Sequence, residues 1–273
     1  MNKKQKIISW SIYIGLIVIL LIASILVPGS EKEDISDIMN DAVLHGSNLV
    51  AFGFIEVNPA YISSLVVTGT IILFAIIVRI FFIPRFKYVP GKLQLALEQL
   101  VSFFDNLAIT NSPKRNKFLG AYIFGAGVYI FVGTIFELVG IQATGIHGNV
   151  ITLPAPLSDI NAAIAIGCLS YLVILVGGLV TNGFKGVLKG LKDFSLPISM
   201  SFRLFGALLS GLLVSELVYY YIGLSYVLPV VVGVLFTLIH ALVQAYVLAM
   251  LTALFYGEVS EKHPKKEKNI EKA

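Results

Sequence analysis

Charge and cysteine are both scarce in this chain. Only 13% of its 273 residues are charged, and Cys168 is its single cysteine. One thiol excludes an intramolecular disulfide and any cysteine-built metal site. Also lacking are a His-Glu-x-x-His pair, a Gly-x-Ser-x-Gly elbow, a P-loop and a dense carboxylate cluster, so no catalytic centre, resident metal or cofactor is expected. No internal repeat and no matched pair of broken helices stands out, which counts against an independent ion-coupled secondary transporter, the main alternative that composition allows.

What is abundant is apolar residues. They make up 57% of the chain, at a mean hydropathy of +0.87, outside the range of ordinary soluble domains. The expected fold class is all-α, a polytopic membrane protein with six spans. The first, over residues 7–27, is either a retained anchor or a signal peptide; its length and the absence of a small-x-small cleavage site favour the anchor. Residues 28–60 form an external acidic segment with at most one short helix, residues 61–258 a membrane ion-channel domain, and residues 259–273 a basic tail. Within the channel domain, spans are expected at about 61–83, 118–141, 159–181, through Arg203, and 227–256. An amphipathic surface helix follows the first of these from about Val89 to Phe104, an external loop covers 142–158, and a short basic amphipathic segment covers 183–192.

The net charge of +4 invites an anionic partner such as nucleic acid, but the placement of the charges has a simpler source in topology. With both ends inside, the cytoplasmic segments hold 18 of the 20 basic residues. Lys32 is external. Arg203 is the one basic residue with no loop to occupy, set in the apolar run Ser199 to Val214. A guanidinium at bilayer depth costs from a few to about 10 kcal/mol or more, so it persists where protein or a water-filled cavity receives it, unless it snorkels to an interface from a helix end.

The last two spans are joined by a short external turn near Tyr221 to Tyr226 and are therefore antiparallel neighbours in a long hairpin. Arg203 and Gln244 are both about 21 residues from the midpoint of that turn, which puts them at similar depth. A glutamine offers the guanidinium a carbonyl without neutralising it; alternatively it only bridges two helices. Glu216 is 13 residues beyond Arg203, roughly 20 Å along a helix, too far for a direct ion pair. His240 is one turn from Gln244 on the same face, and an imidazole titrates near neutral pH when unperturbed. Glu137 belongs to the external half, as does Asp159, which reads equally as a first-turn acid favourable to the helix dipole. Carboxylates and imidazole leading from outside toward mid-depth suit an ion access path. The alternatives are interface residues for Glu216 and Glu137 and a packing histidine for His240. Gly206, Ala207, Ser210 and Gly211 permit close approach of another helix, either span six or a separate subunit.

Four segments carry a resemblance: Pro197-Ile-Ser-Met-Ser-Phe-Arg-Leu-Phe-Gly206 with Gly211, Val243-Gln-Ala-Tyr-Val-Leu-Ala-Met-Leu-Thr252, and more weakly Val89-Pro-Gly-Lys-Leu-Gln94 and Pro156-Leu-Ser-Asp-Ile-Asn161. In these the chain resembles subunit a of the rotary F-type ATP synthases, over about residues 85–258. The resemblance implies a non-catalytic stator subunit in a bacterial cell membrane. Its partners would be a ring of subunit c, the peripheral-stalk subunit b and the rest of the complex, with no nucleic acid. It also implies two offset half-channels that pass H⁺, or Na⁺ in some members, to and from the ring carboxylates. In that scheme Arg203 is the barrier between the half-channels and Gln244 its glutamine. Glu216 and His240 serve the external half-channel, and Glu137 and Asp159 its mouth. The chain departs from the family pattern at Ala207, Leu212 and Thr237, where polar or acidic groups are usual; Glu216 and His240 each stand one turn from a vacated position.

Overall fold

The computed structural model describes residues 14–15, 18–19, 22, 36, 49–51, 55–112, 117–144, 150–220 and 228–261. The expected first span and basic tail, and the turn near Tyr221 to Tyr226, lie outside these residues apart from isolated positions. Among the described residues, five helices are long and apolar enough to cross a membrane.

A short antiparallel strand pair precedes the first of them, β1 (Leu49–Ala51) and β2 (Ile55–Val57), with Val50 opposite Glu56. Helix α1 (Pro59–Ile77) continues through a π turn (Val78–Phe82) and a 3₁₀ turn (Ile83–Arg85). Its start is encoded locally. Asn58 Oδ1 accepts the Ala60 N–H at 2.9 Å, and Pro59 takes the first helical position, where an N–H would find no partner within the helix. The surface helix α2 (Lys92–Asn111) is longer than its sequence period implied. The third element, α3 (Lys117–Val139), stops at Gly140, whose φ of 64° is the left-handed conformation that glycine adopts without a Cβ penalty.

The expected loop after α3 contains a second strand pair, β3 (Gln142–Thr144) and β4 (Val150–Thr152), with Ala143 opposite Ile151. These two hairpins are the strand content of an otherwise helical chain among the described residues. Next come α4 (Ile160–Asn182) and α5 (Phe184–Leu191), separated by Gly183 with a φ of 61°. The arginine helix α6 (Ser195–Tyr220) follows. Beyond residues 221–227 the last span is interrupted: α7 (Leu228–Val232) passes through a π turn (Gly233–Thr237) into α8 (Leu238–Ser260).

The chain groups into two compact units. The first comprises Met1–Ile72, Ile130–Ala162 and Arg203–Val243. Its described core sets the buried stripe Pro59, Ala60, Ser63 and Val67 of α1 near Gly133 of α3 and Pro156; a Cβ on Gly133 would meet Pro156 at 3.5 Å and Val67 at 4.0 Å. The rest of α1 turns large apolar side chains outward, Leu65 and Ile72 among them. A soluble protein would expose such a patch at a cost, whereas acyl chains solvate it as well as leucine does.

The second unit comprises Leu73–Tyr129, Ala163–Phe202 and Gln244–Ala273, and glycine builds it. A Cβ on Gly178 would stand 2.9 Å from the Gly186 carbonyl oxygen, and one on Gly186 would collide with Gly178 in turn, so α4 and α5 meet backbone to backbone. Gly177 lies under the Tyr256 ring, and Gly257 against the Asn111 carbonyl. Polar bonds close the same cluster. Tyr171 donates its hydroxyl to Gly190 O at 3.2 Å, Asn182 Nδ2 donates to Val259 O at 2.8 Å, and Lys189 Nζ donates to Glu258 O at 2.5 Å while lying 3.8 Å from the Glu258 carboxylate.

Because backbone faces backbone at Gly186, no side chain can swing aside to admit a methyl group. Gly186→Ala is expected to destabilise the protein by about 1–3 kcal/mol. Gly69→Ala, whose Cβ meets nothing within 4 Å, should stay within about 0.5 kcal/mol of wild type. Thermal unfolding of the two variants in detergent checks the pair.

Candidate functional site

Helix α6 has two faces. Met200, Leu204 and Leu208 recur every four residues and are buried to 2%, 2% and 4% exposure. In the second unit the buried side is seated by Gly167 of α4, where an added Cβ would stand 2.9 Å from the Pro197 carbonyl; Ser201 donates its hydroxyl to that same carbonyl at 2.7 Å. Ser199, Arg203, Gly206 and Ser210 form the opposite stripe, and all four are exposed. A Cβ placed on Gly206 or on Gly211 meets no atom within 4 Å. The small residues of this helix are therefore not used for packing at these positions, in contrast to Gly167 and Gly178.

Helix α8 buries the other face of the expected pair. Gln244 is 7% exposed and lies in a row with Ala241, Ala245, Leu248 and Ala249, all buried. His240, one turn earlier, is half-buried. Its ring stacks on Phe236 with centroids 5.4 Å apart, and its Nδ1 stands 2.8 Å from the Phe236 carbonyl oxygen. A carbonyl has no proton to give, so this bond requires Nδ1–H. Phe236 sits in the π turn, a widening of the helix often found at functional sites.

Arg203, Glu216, His240, Glu137 and Asp159 all fall in the first unit, while Gln244 is the first residue of the last segment of the second. Glu137 is half-buried near the end of α3. Both oxygens of Asp159 are engaged. Oδ1 accepts the Asn161 N–H at 2.7 Å, capping α4, and Oδ2 accepts from Asn58 Nδ2 at 2.6 Å. Asn58 thereby caps α1 with its oxygen and ties that cap to the α4 cap with its nitrogen. Sequence reasoning passed over Asn58, although an Asn-Pro pair ahead of an apolar run is a helix-start signal.

The profile of the ATP synthase A chain family matches residues 63–257, a span that includes α6, most of α8, and Arg203, Glu216, His240, Gln244, Glu137 and Asp159. The chain belongs to the ATP synthase A chain family. It is accordingly a membrane-sector subunit, an ion-translocating stator subunit of an F-type ATP synthase. The A chain's apolar helices thus belong to the membrane sector of a larger machine.

Substitutions at Asp159 separate its cap from its tie to Asn58. Asp159→Asn retains one side-chain oxygen for the Asn161 N–H but turns an NH₂ toward Asn58 Nδ2, so it should lose the tie between the two caps, about 1 kcal/mol, whereas Asp159→Ala should lose the α4 cap as well, about 2 kcal/mol in all. Thermal unfolding reads the difference.

Proposed function

We propose that this A chain passes H⁺ or Na⁺ through two half-channels to and from carboxylates on a ring of subunit c, with Arg203 as the fixed positive barrier between them. The observation that carries the reading is the exposed stripe Ser199, Arg203, Gly206 and Ser210, opposite the buried leucines of α6 and flanked by two glycines with open space at their Cβ positions. A permanent charge on an apolar helix needs a polar or charged receiver, and a moving ring carboxylate supplies one. Small residues beside it let a helix of the ring pass closely.

In this reading Gln244 offers the guanidinium an uncharged carbonyl at similar depth. His240, with its Nε2 left to exchange a proton, and Glu216 serve the external half-channel, one turn from the positions where Ala207, Leu212 and Thr237 lack polar groups. Glu137 and Asp159 stand near its mouth. The peripheral-stalk subunit b is the other membrane partner, the setting is a bacterial cell membrane, and both termini face the cytoplasm. Residues 1–27 act as an anchor and residues 61–258 as the channel domain.

Two variants test this in inside-out vesicles carrying the whole complex. Arg203→Ala should reduce ATP-driven ion pumping at least about tenfold and open a passive leak, because the barrier to direct passage between half-channels is a charge. Gly206→Leu should leave the A chain's stability within about 0.5 kcal/mol, since a Cβ there meets no atom of the described residues within 4 Å, yet slow pumping by a similar factor. Full pumping in both variants would refute the reading.

A further inference from the structure

Between the end of α1 and the start of α2 the chain folds around an open cavity of about 510 Å³. It lies wholly within the second unit. Arg85, Lys87 and Lys92 line it together with the apolar Phe82, Phe86 and Val89. The turn that shapes it is held by a pair of bonds, Gln94 Oε1 accepting the Lys87 N–H at 3.0 Å and Gln94 Nε2 donating to Lys87 O at 2.9 Å. Gln94 Nε2 is further held by Glu98 Oε1 at 2.8 Å, which fixes the amide in that orientation.

Three cations line the cavity, and none of them forms an ion pair with an acidic residue among the described residues. Phe81, Phe82 and Ile83 are exposed along the stretch that leads into it. Cations together with aromatic and aliphatic side chains in one cavity, at a position where a membrane helix gives way to a surface helix, match a ligand that is anionic at its head and apolar along its tail. We propose that this cavity binds the phosphate headgroup of an anionic phospholipid, with Arg85, Lys87 and Lys92 on the phosphate and Phe82 and Phe86 along the first acyl carbons. The volume lies in the range of small-molecule sites and accommodates a glycerophosphate headgroup. Basic residues at the cytoplasmic end of a span set topology in any membrane protein. What exceeds that role here is that all three line one shaped cavity whose turn is pinned by Gln94. The site requires no assumption about Arg203 or the ring.

The test uses the assembled complex in vesicles of phosphatidylcholine with 30 mol% phosphatidylglycerol and a phosphatidylglycerol probe photoactivatable near its headgroup. Peptide mapping is expected to place label on residues 82–94. Neutralising one cation near an anionic headgroup weakens attraction roughly fivefold, so Arg85→Gln/Lys87→Gln/Lys92→Gln should reduce labelling at that segment by at least that factor. Lys189→Gln/Lys192→Gln, on a different basic element, should not. Should the triple variant fail to assemble, the same probe built on phosphatidylcholine, tested on the wild type, must label residues 82–94 at least about fivefold less than the anionic probe. Equal labelling by the two probes, label retained in the triple variant, or label displaced by millimolar inorganic phosphate would overturn the proposal, the last by assigning the cavity to free phosphate instead.

Discussion

Hydrocarbon offers no hydrogen bonds to the backbone, and that constraint shapes most of this chain. Every N–H and C=O at bilayer depth must find its partner within the segment, so helices are the default and irregular backbone is pushed to the ends. The positions where regularity breaks are consistent with it. Gly140 and Gly183 take positive φ just beyond α3 and α4, and the strand pairs lie outside the long helices. Among the described residues the ladder within the spans departs from the α spacing at two π turns, Val78–Phe82 and Gly233–Thr237, and at the 3₁₀ turn Ile83–Arg85, where the backbone stays bonded internally at a different spacing.

The same solvent removes the hydrophobic drive for helices to meet, since lipid is as apolar as leucine, and leaves close packing and polar bonds to do it. The two uses of glycine follow from this. Gly167, Gly177, Gly178, Gly186 and Gly257 each face backbone or a ring at distances no Cβ tolerates, and the bonds of Tyr171, Asn182 and Lys189 fall around them. A Cβ on Gly206 or Gly211 would meet no atom of the described residues within 4 Å. A residue type read from sequence as "permits close approach" therefore divides, once the backbone is placed, into glycines that pack against the described residues and glycines that do not.

That division marks what was legible in the sequence. The five long spans were readable because an apolar run of bilayer length has few other folds available, and the ends expected at 61–83, 118–141 and 159–181 lie within a few residues of the observed ones. Arg203 was readable because charge without a loop is conspicuous. The strand pairs were not: three-residue strands such as Gln142–Thr144 carry too few positions to show alternation. The π turn before His240 was also hidden, because a one-residue widening leaves the apolar pattern of Val234 to Leu238 intact. Asp159 was read as both a channel-mouth acid and a helix-start acid. The structure supplies the second of these, in the Asn161 and Asn58 bonds; Asn58 was legible as a helix start, but its pairing with Asp159, 101 positions away, was not.

The π turn and His240 show how a polar side chain is held in such a constrained medium. The Phe236 carbonyl takes Nδ1–H, and the stacked Phe236 ring limits rotation of the imidazole. Next to the π turn the Leu238 N–H is shared between Val234 O, at the ordinary spacing of four, and Leu235 O, at three, so the backbone stays bonded internally where the helix returns from its wider spacing. What fixes the imidazole is therefore local: both its carbonyl acceptor and its ring partner come from one residue a turn earlier, and a non-aromatic residue at that position would keep the first and lose the second.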